Sequence, residues 1–268
     1  MSPPGPTGCP DPARGSGPVD PPGPVDPSGP AGPVGPNLRR RQQLLAQARA
    51  VKGFMPDDEG EALFEAARQA GTQASGAATF VEIGAWCGKS SVYLGAAAEE
   101  TGAVVFSVDH HHGSEENQPG WPHHDHTLVD PRTGRIDTLP SWRRSVDEAG
   151  LGAVVVGVVG DSPTVASRWG GALALCFIDG GHGEAPAWAD FRGWSPKVAV
   201  GGLLAIHDVF PDPADGGRPP YELYLAALGS GEFADESACG SLRVLRRVRP
   251  PRRPVPGGGG GMAGSDAP

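Results

Sequence analysis

Five ionisable residues follow directly on short apolar stretches of the sequence. Asp109 follows AVVFSV, Asp161 follows VVVGVVG and Asp179 follows LALCFI. His207 and Asp208 follow GGLLAI in the same way. Carboxylates and imidazoles in such positions can accept hydrogen bonds from a ligand, hold a cation or move a proton. These residues are therefore the first candidates for a functional site.

A glycine-rich stretch, FVEIGAWCGKSS at 80–91, permits two interpretations. A phosphate loop needs four residues between its glycines, and only three separate Gly84 from Gly88. A loop around an adenosyl cofactor explains more, because Asp109 follows Gly88 at the distance expected of an acid that binds ribose hydroxyls. A nucleotide hydrolase stays as the less favoured alternative, since LALCFIDGG is similar to a magnesium-holding strand.

The elements that must position these residues alternate between strands and helices. Two helical patterns, at 37–54 and 57–71, precede five apolar strands with helices between them. The strands are predicted at 78–84, 103–109, 153–159, 172–179 and 200–207, with a helix at 221–228 and a last strand in SLRVLRRV. This order predicts an α/β fold with a Rossmann-like, doubly wound, mostly parallel sheet. In such a sheet the candidates meet at the carboxyl ends of the strands.

Composition bounds the rest of the chain. Residues 1–36 and 249–268 are rich in Pro and Gly and predict disordered tails, which leaves one domain at 37–248. A net charge of −9 argues against nucleic-acid binding. No apolar run approaches the roughly 18 residues of a membrane span, and the start does not resemble a signal peptide. We therefore expect a cytoplasmic location and no membrane partner.

Five segments together resemble a known family. VEIGAWCGKSS, SVDHHHG, VVGDSP, FIDGGH and GGLLAIHD are similar, in this order, to class I S-adenosylmethionine-dependent methyltransferases. The closest resemblance is to small-molecule O-methyltransferases of the macrocin, cephalosporin-tailoring and catechol type. It implies a seven-stranded sheet with the last strand antiparallel, and helices before the first strand that help to cover the substrate pocket.

The resemblance implies methyl transfer from S-adenosylmethionine to a small-molecule acceptor, with a hydroxyl oxygen as the expected target. Methylation of a nitrogen stays open as an alternative. A homodimer is a further expectation, because such families often form one. A non-catalytic adenosyl- or nucleotide-binding protein is the alternative, because a fold alone does not prove turnover.

The resemblance also assigns cofactor-binding residues. Glu82 and Gly84 are expected at the methionine portion, Gly88 and Ser90 at the turn, and Asp109 at the ribose. Asp161 and Ser162 are expected at the adenine. Other roles are open: helix capping for Ser162 and a structural ion pair for Glu82.

A second set of residues concerns the chemistry. The family's magnesium ligands match Asp179 and Asp208, whereas His207 stands where many relatives carry an acid, and imidazole is a poor magnesium ligand. One expectation is a divalent cation, Mg²⁺ or Mn²⁺, held by Asp179, Asp208 and His207. The other is a metal-free site in which His182 or His207 removes the hydroxyl proton. His182, His207 and Asp208 are thus the predicted catalytic residues.

Six of the eight histidines lie in DHHHGSEENQPGWPHHDH, 109–126. This segment leaves the strand that ends at Asp109, so a lid over the pocket is the favoured interpretation. Surface decoration and a zinc site are the alternatives.

Overall fold

The computed structural model describes residues 35–251. The two tails predicted to be disordered therefore lie outside the described residues, apart from a few residues next to the domain. Two helices, α1 (Pro36–Ala50) and α2 (Asp57–Gln73), precede the first strand and confirm both helical patterns. In this part of the chain, no helix combines the length and the apolar character that crossing a bilayer requires.

The sheet and its helices follow in alternation. The strands are β1 (Thr79–Ile83), β2 (Val104–Asp109), β3 (Val129–Asp130), β4 (Arg135–Ile136), β5 (Val155–Val159), β6 (Leu173–Ile178), β7 (Val198–Ile206), β8 (Phe233–Cys239) and β9 (Leu242–Arg247). The helices between them are α3 (Lys89–Thr101), α4 (Leu139–Glu148), α5 (Ser162–Arg168), α6 (Glu184–Trp194) and α7 (Arg218–Gly229).

Seven strands form the main sheet in the order β5-β2-β1-β6-β7-β9-β8. The five strands from β5 to β7 in this order pair in parallel, whereas β9 is antiparallel to both of its neighbours. The predicted doubly wound sheet with an antiparallel last strand is thus confirmed. The last strand in the chain lies inside the sheet, and β8 forms its edge.

The sequence patterns did not predict the strands β8, β3 and β4. β8 reads FADESAC, and residues 234–237 are exposed, so this edge strand has no apolar run. The two-residue strands β3 and β4 pair only with each other, within the segment between β2 and α4. Both are short or polar because neither is covered on two faces.

Alternate residues of the strands fill two cores. Phe80 and Leu203 belong to a core packed by α1 to α4, and their neighbours Val81 and Leu204 belong to a core packed by α5 to α7. This alternation is the period-two geometry of a strand that is buried on both faces. The central strands are therefore rigid supports for the residues that follow their carboxyl ends.

Gly84 ends β1 with a left-handed backbone, at a φ of 84°. A Cβ atom at this position would lie 2.1 Å from the backbone oxygen of Asp179, at the end of β6. Since backbone cannot move aside as a side-chain tip can, only glycine fits here. The close approach brings the loop after β1 against the end of β6.

We predict that Gly84→Ala lowers the free energy of unfolding by more than about 3 kcal/mol, because it combines a left-handed residue with a backbone clash. Gly102→Ala is the matched control, since Gly102 has a φ of 73° but nothing within 4 Å of an added Cβ. That variant should lose only about 1–2 kcal/mol. Urea denaturation measures both values, and equal losses would contradict the clash.

Candidate functional site

A cavity of about 860 Å³ opens at the carboxyl ends of β1, β2, β6 and β7. Its size suits a small organic ligand, and its position is the usual one for ligands of doubly wound sheets. Nine predicted site residues line it: Gly84, Ser90, Asp109, Asp161, Ser162, Asp179, His182, His207 and Asp208. The other two predicted residues lie outside this lining, Glu82 in the interior and Gly88 against α4.

Asp109 holds the loop between β1 and α3 in shape. Its Oδ2 accepts hydrogen bonds from the backbone N–H groups of Ala85 and Trp86, both at 2.9 Å, and its Oδ1 accepts from the N–H of His111 at 2.7 Å. Trp86 and His111 have φ values of 47° and 61°, which are uncommon for residues with a side chain. Three bonds leave about one lone-pair position of the carboxylate for a ligand.

Glu82 lies beneath the loop, fully buried. Its Oε2 accepts a hydrogen bond from Ser91 at 2.5 Å, whereas its Oε1 has no hydrogen-bond partner among the described residues. Burial raises the pKa of Glu82 to about 7, and the nearby hydroxyl groups of Ser107, Ser90 and Ser91 oppose this shift. Its polar neighbours in the described chain are serines and not the cation of an ion pair. Glu82 was predicted to contact the methionine portion of the cofactor. The structure places it outside the lining of the cavity, in the buried interior.

Asp161 and Ser162 lie at the start of α5 and line the cavity, and each also has hydrogen-bond partners within the protein. Asp161 caps the helix, because its Oδ2 accepts from the N–H of Thr164 at 3.0 Å and from the Thr164 hydroxyl at 2.6 Å. Ser162, for which capping was the alternative, donates to Asp190 Oδ1 at 2.5 Å and accepts from Trp194 Nε1 at 2.8 Å.

Asp190 is a cavity-lining acid that the sequence analysis missed. It lies within α6, and its partner Ser162 is 28 residues away, so no local spacing points to it. Burial raises the pKa of Asp190 to about 6, although the Ser162 hydroxyl opposes the shift. A carboxyl group in this position can bind a donor of a ligand in the cavity.

Asp179, His182 and Asp208 form a cluster with the spacing of metal ligands. One ligand atom from each residue lies within 4.8 Å of the others, and His182 Nε2 lies 2.9 Å from Asp208 Oδ2. Two carboxylates and one imidazole suit Mn²⁺ or Zn²⁺ better than Mg²⁺. The predicted ligand set contained His207, whereas the group with ligand spacing contains His182.

His207 lies behind this cluster, with 4% of its surface exposed. Its Nε2 lies 2.6 Å from Glu59 Oε2, and its Nδ1 lies 3.1 Å from Asp179 Oδ1 and 3.3 Å from Asp208 Oδ2. Because each ring nitrogen already faces a carboxylate, neither offers a lone pair to a cation or to an acceptor proton. These contacts give no support to the predicted roles of His207 as metal ligand and as base.

The histidines of the cluster are held in their charged form by the surrounding acids. Burial lowers the pKa of His182, but hydrogen bonds to Asp208 and Glu116 outweigh it and raise the pKa to about 10. Burial likewise opposes the charge of His207, and Asp179 and the other acids raise its pKa well above the ordinary value. Hydrogen bonds from both rings lower the pKa of Asp208 despite its burial.

Negative charge remains in excess. Four carboxylates contact the two imidazoles, so two negative charges are left when all six groups are ionised. Burial raises the pKa of Asp179, the charge of His207 opposes this shift, and the charge of Asp208 adds to it. A divalent cation among the carboxylates would relieve this excess. The four acids are Glu59, Glu116, Asp179 and Asp208.

The histidine-rich segment covers the cluster through an acid and not through its histidines. Glu116 Oε2 lies 3.2 Å from His182 Nδ1, and Glu116 Oε1 accepts from the His182 backbone N–H at 3.3 Å. Of the six histidines, only His110 and His123 line the cavity. The set of Asp179, His182 and Asp208 is the one group in the described chain with metal-ligand spacing, and none of its members lies in this segment. The placement fits a lid and gives no support to a zinc site there.

The connection between α1 and α2 forms another wall of the cavity. Lys52, Phe54 and Met55 line it, and the Phe54 ring lies 5.7 Å from the ring of Trp86 and 5.2 Å from that of His123. The elements before β1 thus help to cover the pocket, as the resemblance implied, although the covering residues lie between the two helices.

Comparison with known proteins finds a matching family model and solved structures with a similar fold. Residues 81–209, from β1 to just beyond β7, match a family described as "Methyltransferase domain". Among solved structures, the chain is similar to the SAH-bound methyltransferase PaMTH1 of Podospora anserina, the O-methyltransferase NovP and the calicheamicin methyltransferase CalS11.

The likeness to these structures extends over most of each chain. PaMTH1 is 13% identical with a TM-score of 0.54, over 78% of this chain and 87% of that one. NovP is 18% identical with a TM-score of 0.55, over 72% and 81%. CalS11 is 15% identical with a TM-score of 0.51, over 80% and 93%. At such low identity the likeness shows a shared fold.

The buried position of Glu82 predicts a pH dependence of stability. Its pKa in the fold, about 7, exceeds the ordinary 4.5, so the fold favours the neutral carboxyl and stability falls as pH rises through 7. Gln cannot ionise, so above pH 7 the free energy of unfolding of Glu82→Gln should exceed that of the wild type by up to about 3 kcal/mol. Urea denaturation at pH 5 and pH 8 tests this. Asp147→Asn, at an exposed helix position, is the control. A difference that does not grow with pH would contradict the prediction.

Proposed function

Because residues 81–209 match the model of a methyltransferase domain, we propose that the chain is a class I S-adenosylmethionine-dependent methyltransferase and that it methylates a hydroxyl oxygen of a small molecule. One observation carries the proposal. The loop shaped by Asp109 and the cluster of Asp179, His182 and Asp208 line the same cavity. One part can hold an adenosyl cofactor while the other holds an acceptor oxygen.

We assign the cofactor to the part of the cavity near β1, β2 and β5. Asp109, which lines the cavity and keeps about one lone-pair position, would bind the ribose hydroxyls, and Gly84 would border the methionine portion. Asp161, Ser162 and Asp190 border the place proposed for the adenine. S-adenosylmethionine supplies a methyl carbon on a positively charged sulfur, so the protein has to align the acceptor and receive its proton.

We assign the acceptor to the part near β6 and β7, where the carboxylates of Asp179 and Asp208 would hold Mn²⁺ or Mg²⁺. His182 would join them only where the cation displaces the proton that its ring carries, because a ligand imidazole has to be neutral. A bound cation of this kind orients a hydroxyl and lowers its pKa. The residues of the chain favour this over a histidine base. Both ring nitrogens of His182 face carboxylates, Glu116 at 3.2 Å and Asp208 at 2.9 Å, as do both nitrogens of His207. Neither ring has a lone pair directed at a substrate proton.

The solved structures with a similar fold support the proposed chemistry. PaMTH1 is SAH-bound, NovP is an O-methyltransferase and CalS11 is a calicheamicin methyltransferase. The shared fold supports the same cofactor and a small acceptor for this chain. The acidic cluster favours oxygen over nitrogen as the target, because a hydroxyl must lose a proton to become a good nucleophile and a site of this kind can assist that loss.

We expect Asp109→Asn to weaken binding of S-adenosylhomocysteine at least tenfold, since a hydrogen bond to a charged group contributes about 1.5–3 kcal/mol. Asn keeps the size of the side chain, so the loop is disturbed less than it would be by Ala. Calorimetric titration measures the affinity, with Asp147→Asn as the control. Unchanged affinity in a folded Asp109→Asn variant would restrict Asp109 to holding the loop.

Methyl transfer itself should depend on the cation. Full-length protein incubated with S-adenosylmethionine and a panel of phenols, sugars and alcohols should release S-adenosylhomocysteine, detected by mass spectrometry. Chelator should abolish release, and Mn²⁺ or Mg²⁺ should restore it. Asp208→Asn should not respond to added metal, whereas Asp212→Asn, exposed in the loop after the same strand, should behave as the wild type.

Each part of the proposal can fail separately. Full activity in chelator would contradict the cation, and a methyl group found on nitrogen by NMR of the product would contradict the hydroxyl acceptor. Tight binding of S-adenosylhomocysteine without turnover of any acceptor would favour a non-catalytic adenosyl-binding protein. Hydrolysis of ATP without binding of S-adenosylhomocysteine would favour a nucleotide hydrolase.

A further inference from the structure

Glu59, in the first turn of α2, is an acid that is only 4% exposed. Its Oε1 accepts from the backbone N–H of Ser241 at 2.6 Å, and its Oε2 accepts from the Ser241 hydroxyl at 3.0 Å. The same Oε2 lies 2.6 Å from His207 Nε2. A buried carboxylate is costly unless donors surround it, and all three partners can donate.

The turn between β8 and β9 is shaped around this carboxylate. Gly240 has a φ of 52°, and a Cβ atom there would lie 2.0 Å from Glu59 Oε1. The turn is also tied to the end of β7, because the backbone N–H of Val209 donates to the oxygen of Ser241 at 3.0 Å. The position of Glu59 is thus built from three separate parts of the chain.

His207 transmits this position to the cation site. With Nε2 bound to Glu59, the ring can turn little, and its Nδ1 is directed at both Asp179 and Asp208. These are the two carboxylates of the candidate cation cluster. Their orientation relative to His182 therefore depends on a ring that Glu59 holds.

We propose that Glu59 is a positioning residue for the cation site: through His207 it holds Asp179 and Asp208 in the arrangement that binds the ion. The inference rests on the cation site proposed above. Partners of metal-binding groups often matter nearly as much as the ligands themselves. Glu59 and Ser241 both lie outside residues 81–209, so the match to the methyltransferase domain does not include them.

A purely structural role, anchoring α2 to the sheet, predicts a different result. Loss of an anchor would lower stability and weaken every ligand of the cavity together. Loss of a positioning residue would weaken the cation selectively, because S-adenosylhomocysteine lies against the loop held by Asp109. The two affinities, measured on the same protein, separate these roles.

The experiment titrates the full chain with Mn²⁺, using the electron paramagnetic resonance signal of the free ion, and with S-adenosylhomocysteine by calorimetry. Glu59→Gln should bind Mn²⁺ about 10–100-fold more weakly than the wild type, with S-adenosylhomocysteine affinity changed less than about twofold. Glu65→Gln is the matched control, since Glu65 lies on the same helix but is exposed. If Glu59→Gln does not fold, Glu59→Asp keeps the charge but withdraws the carboxylate from His207, and the same selective loss is expected.

Three outcomes would overturn the inference. Unchanged Mn²⁺ affinity in Glu59→Gln would do so while leaving the cation site intact. Equal losses of Mn²⁺ and S-adenosylhomocysteine affinity, with a lower unfolding temperature, would show an anchor only. If the wild-type chain does not bind Mn²⁺, both the cation site and this inference are wrong. The proposed methyltransferase activity is then tested separately, by measuring methyl transfer in the presence of chelator.

Discussion

The close approach of the β1–α3 loop to the end of β6 is the constraint on which the site depends. Gly84 lies so close to the backbone oxygen of Asp179 that no side chain fits between them. The loop held by Asp109 and the acid that follows β6 are therefore next to each other. Because β1 and β6 pair up to the residues before this contact, the two segments line one cavity from adjacent positions.

Beside this contact, carboxylate and imidazole side chains contact one another in alternation across the molecule. Glu116 in the covering segment contacts His182, His182 contacts Asp208, Asp208 contacts His207, and His207 contacts Glu59 in α2. Each imidazole lies between carboxylates, so the array reduces the repulsion among buried acids without removing it. The array also joins three regions that are far apart in the chain: the segment after β2, the strand ends and the helix before β1.

The sequence predicted the sheet well because its central strands are buried on both faces and read as apolar runs, each ended by a polar residue. The edge strand β8 escaped detection, since it carries Asp235, Glu236 and Ser237 toward solvent. The candidate residues that end strands, such as Asp109 and Asp179, also line the cavity. Their roles were harder to predict, because hydrogen-bond partners decide them.

The acids missed by sequence reasoning share one property. Glu59 lies 148 residues from His207, Glu116 lies 66 from His182, and Asp190 lies 28 from Ser162. No period or short motif links residues at such separations. His207 was assigned to the cation because it stands where many of the similar O-methyltransferases carry an acid, but its Nε2 faces Glu59 and its Nδ1 faces Asp179 and Asp208.

The backbone conformation of the loop has a consequence for how the cavity meets its ligands. Asp109 holds the left-handed backbones of Trp86 and His111 through hydrogen bonds of the protein itself. The cost of these conformations is part of the folding free energy of the whole domain. A ligand of the cavity therefore need not order this loop, and little chain entropy is lost when it binds.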